Sequence, residues 1–304
     1  MNVAVVGGGS LGMLFAVHLQ RIQHKRLVLY TRTQQQASDI NRRGITFTST
    51  LGETLSVPMN AKSWTKRRGD VWDLLLLTVK QTHLTSAFIE DLAQLITRDT
   101  FVLCFQNGLG HLEKLQSKIK KGKWFTAVTT EAALKTNMAE VSHTGTGKTI
   151  IGNDEGGHLS SVVDLLTAAG FSVELSNHIE SVIWDKLLIN AVINPLTAML
   201  RVRNGELSKR SEWRNLMRTL LEEGLSVSRK LQIKTADHLF DQLLSVCKQT
   251  ANNQSSMLQD VLAGRQTEID YINGSIVRLA QQLNVKVPVQ HAVWRMVKGL
   301  EMTE

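Results

Sequence analysis

In the stretch WDKLLINAVINPLTA, Trp184 to Ala198, three strongly polar side chains, Lys186, Asn190 and Asn194, recur every four residues in an otherwise apolar run. At 3.6 residues per turn they fall within ~80° of one another and span ~12 Å along a helix. Leu187, Leu188, Ile189, Ala191, Val192 and Ile193 cover the remaining faces, and a helix that is apolar nearly all round is normally buried. Lys186 is therefore expected to face protein, where desolvation lowers its pKa and a carboxylate or anionic substrate raises it. An ammonium balanced in this way can protonate a carbonyl oxygen as hydride reaches the carbonyl carbon. Asn190 and Asn194 would add neutral donors and acceptors for hydroxyl or carboxylate oxygens. The plainer alternative is a lysine that snorkels to solvent beside asparagines paired with helix ends. Pro195 lacks an N–H and clashes with the preceding turn, which predicts a kink or an end of the helix near Asn194.

A second chemistry-bearing stretch is VAVVGGGSLGMLFAVHL, with Gly7, Gly9 and Gly12 in G-x-G-x-x-G spacing between a strand-like and a helix-like run. The first glycine permits the tight turn, the second lets backbone approach a pyrophosphate, and the third lets helix pack on strand. The amides of Gly7, Gly8, Gly9, Ser10, Leu11 and Gly12 would then meet the phosphates of a dinucleotide at the helix N-terminus. Arg32 stands twenty residues after Gly12, where an NAD-binding chain usually places an acid. A guanidinium suits a 2′-phosphate, with Thr31 and Thr33 as further donors, so NADP(H) is favoured over NAD(H). An arginine merely solvated at a strand end is the alternative. Lys80 after DLLLLTV and Asn107 after FVLCFQ end two further strands, where ligands of doubly wound sheets bind. Taken alone, each also reads as an end charge or a turn.

These residues need a scaffold, and the chain is long enough for about two domains: 304 residues, 42% hydrophobic. Short apolar runs, NVAVVG, RLVLYTR, DLLLLTVK, TFVLCFQNG, WFTAVTT and FSVELSN, alternate with helical stretches, which predicts a largely parallel α/β sheet. The segment EVSHTGTGKTIIGN reads as antiparallel strands appended to that sheet. NHIE, with Asn177 as N-cap and Glu180 three residues on, opens a long helical run, and no strand is expected beyond Asn177. The expected division is 1–178, a Rossmann-type NADP-binding domain, and 179–304, an all-helical substrate and catalytic domain. Within the latter, SSMLQDVLAGRQTEIDYINGS reads as a helix, a turn around Gly264 and a helix capped by Thr267, and pattern alone selects no catalytic carboxylate there.

Composition narrows the partners. A net charge of +8 could attract nucleic acid, an anionic surface or small anions, but the basic clusters TKRRGD and KIKKGKW lack interleaved stacking aromatics. Solvated surface is the reading taken, with no nucleic-acid partner. No apolar run reaches the ~20 residues of a membrane span, and MNVAVVGGG enters a strand without a basic n-region, so no membrane partner and a cytoplasmic location are expected. Cys104 and Cys247 have neither metal-ligand nor disulfide-framework spacing and are expected as buried thiols, and no metal site is expected.

The motifs GGGSLG, TVK, QNGLG, HTGTG, WDKLLINAVINPLTA, RNGEL, SSMLQD and TEIDYINGSI together resemble the ketopantoate reductases, also called 2-dehydropantoate 2-reductases, along nearly the whole chain. The resemblance implies NADPH-dependent reduction of 2-dehydropantoate to (R)-pantoate in pantothenate biosynthesis by a monomer or homodimer; the alternative is reduction of another 2-oxo acid on the same fold. It further implies Lys186 as proton donor, and Asn190, Asn194, Asn204 and Ser256 as substrate-holding groups. Asn107 would lie between nicotinamide and substrate. Arg32, Lys80 and Ala133 would contact the cofactor, with Glu268 an acid near cofactor and lysine. Glu131 departs from the histidine or small residue that some relatives carry beside the cofactor-binding segment. A dehydrogenase of another 2-hydroxy acid and a non-catalytic NADP sensor are the remaining readings; the NPLTA and TEIDYING strings argue against the first and the lysine stripe against the second.

Overall fold

The structure, a computed structural model, describes residues 1–22, 26–66, 69–152 and 159–301. Arg67 and Arg68 of the TKRRGD cluster lie outside the described residues. The chain forms two compact units: Met1–Gln106 with His111–Ile179, and Asn107–Gly110 with the chain from Glu180 onward. The helical unit begins at Glu180, beside the boundary expected at 178/179, and also takes in the short NGLG turn, Asn107–Gly110. The reason is local: Leu109 N donates to Tyr271 O at 3.1 Å, and Gly108, at φ +82°, packs so tightly on that carbonyl that a Cβ would collide with it.

The first unit is α/β. Its strands are β1 (Asn2–Val6), β2 (Arg26–Thr31), β3 (Ile45–Thr48), β4 (Thr54–Val57), β5 (Ala61–Ser63), β6 (Leu74–Leu77), β7 (Phe101–Cys104), β8 (Lys123–Thr129), β9 (Ala132–Asn137), β10 (Glu140–Gly145), β11 (Lys148–Gly152) and β12 (Ser172–Leu175). Its helices are α1 (Ser10–Gln20), α2 (Gln34–Arg43), α3 (Ser86–Ala93), α4 (His111–Lys118) and α5 (Ser160–Ala168). Eight strands form the main sheet in the order β12-β11-β8-β7-β6-β1-β2-β5. Neighbours from β5 to β8 are parallel, whereas β11 runs antiparallel to β8 and carries β12.

Both faces of this sheet are covered, and the sequence shows why. In β1, Val3 and Val5 enter one core while Ala4 and Val6 enter the other; in β6, Leu74 and Leu76 part from Leu75 and Leu77 in the same way. A two-residue side-chain period in a strand buried on both sides demands an unbroken apolar run, and LLLL supplies it.

The appended-strand expectation needs correction. EVSHTGTGKTIIGN does not stay in one sheet: β10 joins a separate four-stranded sheet, β4-β3-β10-β9, and only β11 joins the main one. The chain changes sheets at Thr146–Gly147, where Gly147 lies so close to the backbone of Thr130 that a side chain would not fit.

The second unit is helical: α6 (Ile179–Leu200), α7 (Ser211–Lys230), α8 (Leu239–Gln249), α9 (Ser256–Leu262), α10 (Asn273–Gln282) and α11 (Pro288–Leu300). Among the described residues no strand follows Leu175. Trp184, Leu187, Leu188, Ala191, Val192 and Ile193 of α6 enter its core with Met217, Leu220, Leu221 and Ile276. Gly224 lets α7 press against Leu188, whose side chain a Cβ there would strike. Glu223 on α7 caps the start of α11, accepting from Val289 N at 3.0 Å and Gln290 N at 2.7 Å.

Three local expectations are revised. Helix α6 begins at Ile179, and Asn177 lies exposed in a bend where Ser176 Oγ accepts from His178 N at 3.0 Å. Pro195 does not end α6, which continues to Leu200. Thr267 opens a turn and not a helix: its hydroxyl accepts from Ile269 N at 3.2 Å and donates to Glu301 Oε1 at 2.6 Å, and α10 begins six residues later.

Candidate active site

In the first unit the strand order reverses between β1 and β6, and the glycine loop sits at the carboxyl ends of that pair. Gly7 has φ +126°, a conformation that side chains resist, and Thr78 packs against it, donating from Oγ1 to Gly7 O at 3.2 Å. A Cβ at Gly12 would drive into the Gly7 carbonyl, whereas one at Gly9 would meet open space. So Gly7 and Gly12 close the turn, and Gly9 leaves its backbone approachable. Helix α1 starts at Ser10 with Gly9 as N-cap and no side-chain cap, so its first amides remain for an anion.

Arg32 is exposed at the end of β2, directly before α2. The two neighbouring threonines serve the turn itself: Thr31 Oγ1 donates to Thr33 O at 2.9 Å, and Thr33 Oγ1 accepts from Gln36 N at 3.2 Å, capping α2. No acid lies in TRTQQQ to repel a phosphate. Lys80 follows β6 at the start of a single 3₁₀ turn, partly buried. The residues present fit a dinucleotide carrying a 2′-phosphate.

Ala133 pairs with His143 across β9 and β10. Its strand is fastened to the glycine loop by Lys135, whose backbone N donates to Ser10 Oγ and whose Nζ donates to Gly8 O, each at 3.0 Å. Lys135 was not singled out by any sequence motif, yet it brings an ammonium to the phosphate loop. Glu131 also acquires a structural reason: its buried carboxylate meets His143 Nε2 at 2.7 Å.

In the second unit the polar stripe forms on α6 as the spacing predicts. Lys186 and Asn190 are partly buried and Asn194 is buried. Burial draws the Lys186 pKa down from its ordinary value to about 8, with the negative charge of Glu268 opposing that fall. Glu268 is itself buried and accepts from Asn107 Nδ2 at 3.2 Å. Lys186, Glu268 and Asn107, which lie far apart in sequence, therefore form one electrostatic group within this unit. Such a group can hold an oxygen, give it a proton and restore its own charge balance.

The remaining predicted residues differ in how they are held. Asn204 is buried, donates from Nδ2 to Thr250 Oγ1 at 2.9 Å, and leaves Oδ1 without a partner. Ser256 is exposed at the first position of α9, while its neighbour Ser255 is structural: Ser255 Oγ caps Leu258 N at 3.0 Å and accepts from Thr197 Oγ1 at 2.7 Å. That last bond ties the start of α9 to α6, one turn beyond Asn194.

Cys104 and Cys247 are buried and free, and burial pushes both thiols up, Cys247 to about 11. Among the described residues no group of three His, Cys, Asp or Glu is placed to hold a metal, and no helix is long and apolar enough to cross a membrane.

A doubly wound α/β unit with a glycine loop at its switch point, joined in sequence to a helical unit carrying a lysine–carboxylate group, defines a dinucleotide-dependent oxidoreductase architecture. Two family models, "Ketopantoate reductase PanE/ApbA" over residues 3–156 and its C-terminal counterpart over 178–301, match the chain, which belongs to the ketopantoate reductase family. The 2-dehydropantoate 2-reductase of Vibrio cholerae is 33% identical over 100% of this chain and 99% of its own length. Among solved structures, a PanE/ApbA family ketopantoate reductase from Ralstonia eutropha has a TM-score of 0.90 at 27% identity, covering 99% of this chain and 98% of that one. D-Mandelate dehydrogenase, solved with NADH and anilino(oxo)acetate, shares the fold at TM-score 0.90 and 24% identity, over 99% and 98% of the two chains.

Proposed function

We propose that this chain reduces 2-dehydropantoate to (R)-pantoate with NADPH, and that Lys186 is the proton donor. The carrying observation is the Lys186–Glu268–Asn107 group: a partly buried lysine whose pKa is drawn down to about 8, with a carboxylate that sustains its charge. When bound, the reduced nicotinamide supplies the hydride that C2 of the oxo acid accepts. Lys186 gives its proton to the C2 oxygen as that carbon is reduced, so one hydride and one proton convert the ketone to the alcohol. The resulting amine recovers a proton from solvent, and Glu268 makes that recovery easier by raising the lysine pKa.

The other assignments belong to the same proposal. Gly7 through Gly12 hold the pyrophosphate, Arg32 the 2′-phosphate, and Lys80, Asn107, Ala133 and Glu268 stand along the rest of the cofactor. Asn190, Asn194, Asn204 and Ser256 hold the hydroxyl and carboxylate oxygens of the substrate; the unpartnered Oδ1 of Asn204 is an acceptor suited to a hydroxyl. NADPH oxidation measured against a panel of 2-oxo acids tests the reading. Preference for 2-dehydropantoate by kcat/KM supports it, and preference for an aryl or unbranched 2-oxo acid would contradict the substrate assignment.

A further inference from the structure

We infer that Asn273 is a positioning residue for the Lys186–Asn190–Asn194 face, its side-chain amide standing in for the helix N–H that Pro195 removes. In a regular helix the carbonyl of Ala191 accepts from the amide of residue 195. Residue 195 is proline and has no amide hydrogen, yet α6 passes through it without ending. Asn273 Nδ2, from α10, donates to Ala191 O at 2.8 Å. The same nitrogen donates to Gln290 Oε1 on α11 at 2.7 Å, and Gln290 Nε2 donates to Leu220 O on α7 at 2.9 Å. Asn273 and Gln290 have no accessible surface, so water cannot replace either bond. A buried acceptor without a donor costs ~1–3 kcal/mol; the polar chain through these four helices spares the Ala191 carbonyl that cost, while Asn273 Oδ1 itself has no hydrogen-bond partner.

The location turns this repair into a matter of function. Ala191 directly follows Asn190 and stands one turn before Asn194, so its carbonyl lies inside the stretch that carries the three polar side chains. Anchoring it fixes the rotation and height of those side chains. This inference rests on the reading of that face as acid and substrate grip. It makes no claim that Asn273 touches a ligand.

A double-mutant cycle tests it, using full-length wild type, Asn273→Leu, Pro195→Ala and the double variant, with Lys186→Ala as a separate arm. Asn273→Leu should raise KM for 2-dehydropantoate and lower kcat/KM by about tenfold, as expected for one orphaned carbonyl, while KM for NADPH stays within about twofold. Pro195→Ala restores an N–H to Ala191 O, and in the double variant it should recover most of that kcat/KM. The melting temperature should recover less, because Gln290 Oε1 still lacks its donor. If Asn273→Leu does not fold, Asn273→Ser, too short to reach Ala191, enters the same cycle. The inference is overturned if activity toward the oxo acid survives the loss of the amide, or if its loss is the same with and without Pro195. Wild-type turnover by Lys186→Ala would instead sink the active-site reading; an inactive Lys186→Ala beside a flat cycle would sink only the positioning role.

Discussion

Around Gly7–Gly12 the first unit offers backbone, whereas around Lys186 the second offers side chains. In the glycine loop, function lies in what is missing: no Cβ at Gly9, no side-chain cap on α1, no acid after β2. On α6 it lies in a partly buried ammonium whose pKa the carboxylate of Glu268, from another part of the chain, holds up. A backbone site fails by added atoms and a side-chain site by removed ones. The two units should therefore respond to opposite kinds of substitution.

The largest effect is expected at Lys186. Replacing it with Ala removes the proposed general acid and should lower kcat by about 10²–10⁴-fold while NADPH affinity is nearly unchanged. Next comes Gly12→Ala, a single added carbon that meets the Gly7 carbonyl. It should cost ~1–3 kcal/mol of stability or more and weaken NADPH binding severely, read by thermal melting and by cofactor titration. Equal damage to both parameters from both substitutions would erase the contrast between the units. Arg32→Ala should weaken NADPH by about 1.5–3 kcal/mol, the worth of a hydrogen bond to a charged group, and leave NADH affinity alone. An unchanged preference between the cofactors would remove Arg32 from the 2′-phosphate site.

The lysine stripe, the glycine loop and the central strands were legible because each follows a strict local period or spacing. The second sheet was not. Its strands are short and mostly half-exposed, and the local antiparallel pairs β3–β4 and β9–β10 become one sheet only where β10 pairs with β3, nearly a hundred residues earlier. Lys135 was invisible for the same reason, since its partners Gly8 and Ser10 are reached only through that sheet. Pattern alone left Glu268 undistinguished among the charges of TEIDYING; only the family resemblance singled it out, and the structure adds its bond to Asn107 and its charge beside Lys186. At Pro195 local physics predicted a kink or an end of the helix; α6 does not end there, and Asn273 gives the Ala191 carbonyl the donor that proline lacks.

The central claim concerns the charge of Lys186, and pH is its most direct probe. A proton donor with a pKa of about 8 should leave kcat/KM for 2-oxo-acid reduction flat below that pH and lower it by about tenfold per unit above it. The reverse oxidation needs the neutral amine and should rise toward the same pH. Because Glu268 raises the lysine pKa, Glu268→Gln should move this limb to lower pH. The deciding measurement is the pH profile of kcat/KM for wild type and Glu268→Gln on 2-dehydropantoate. A limb near 8 that shifts downward in the variant is the predicted result; a limb that stays in place, or one that persists in Lys186→Ala, would contradict the account.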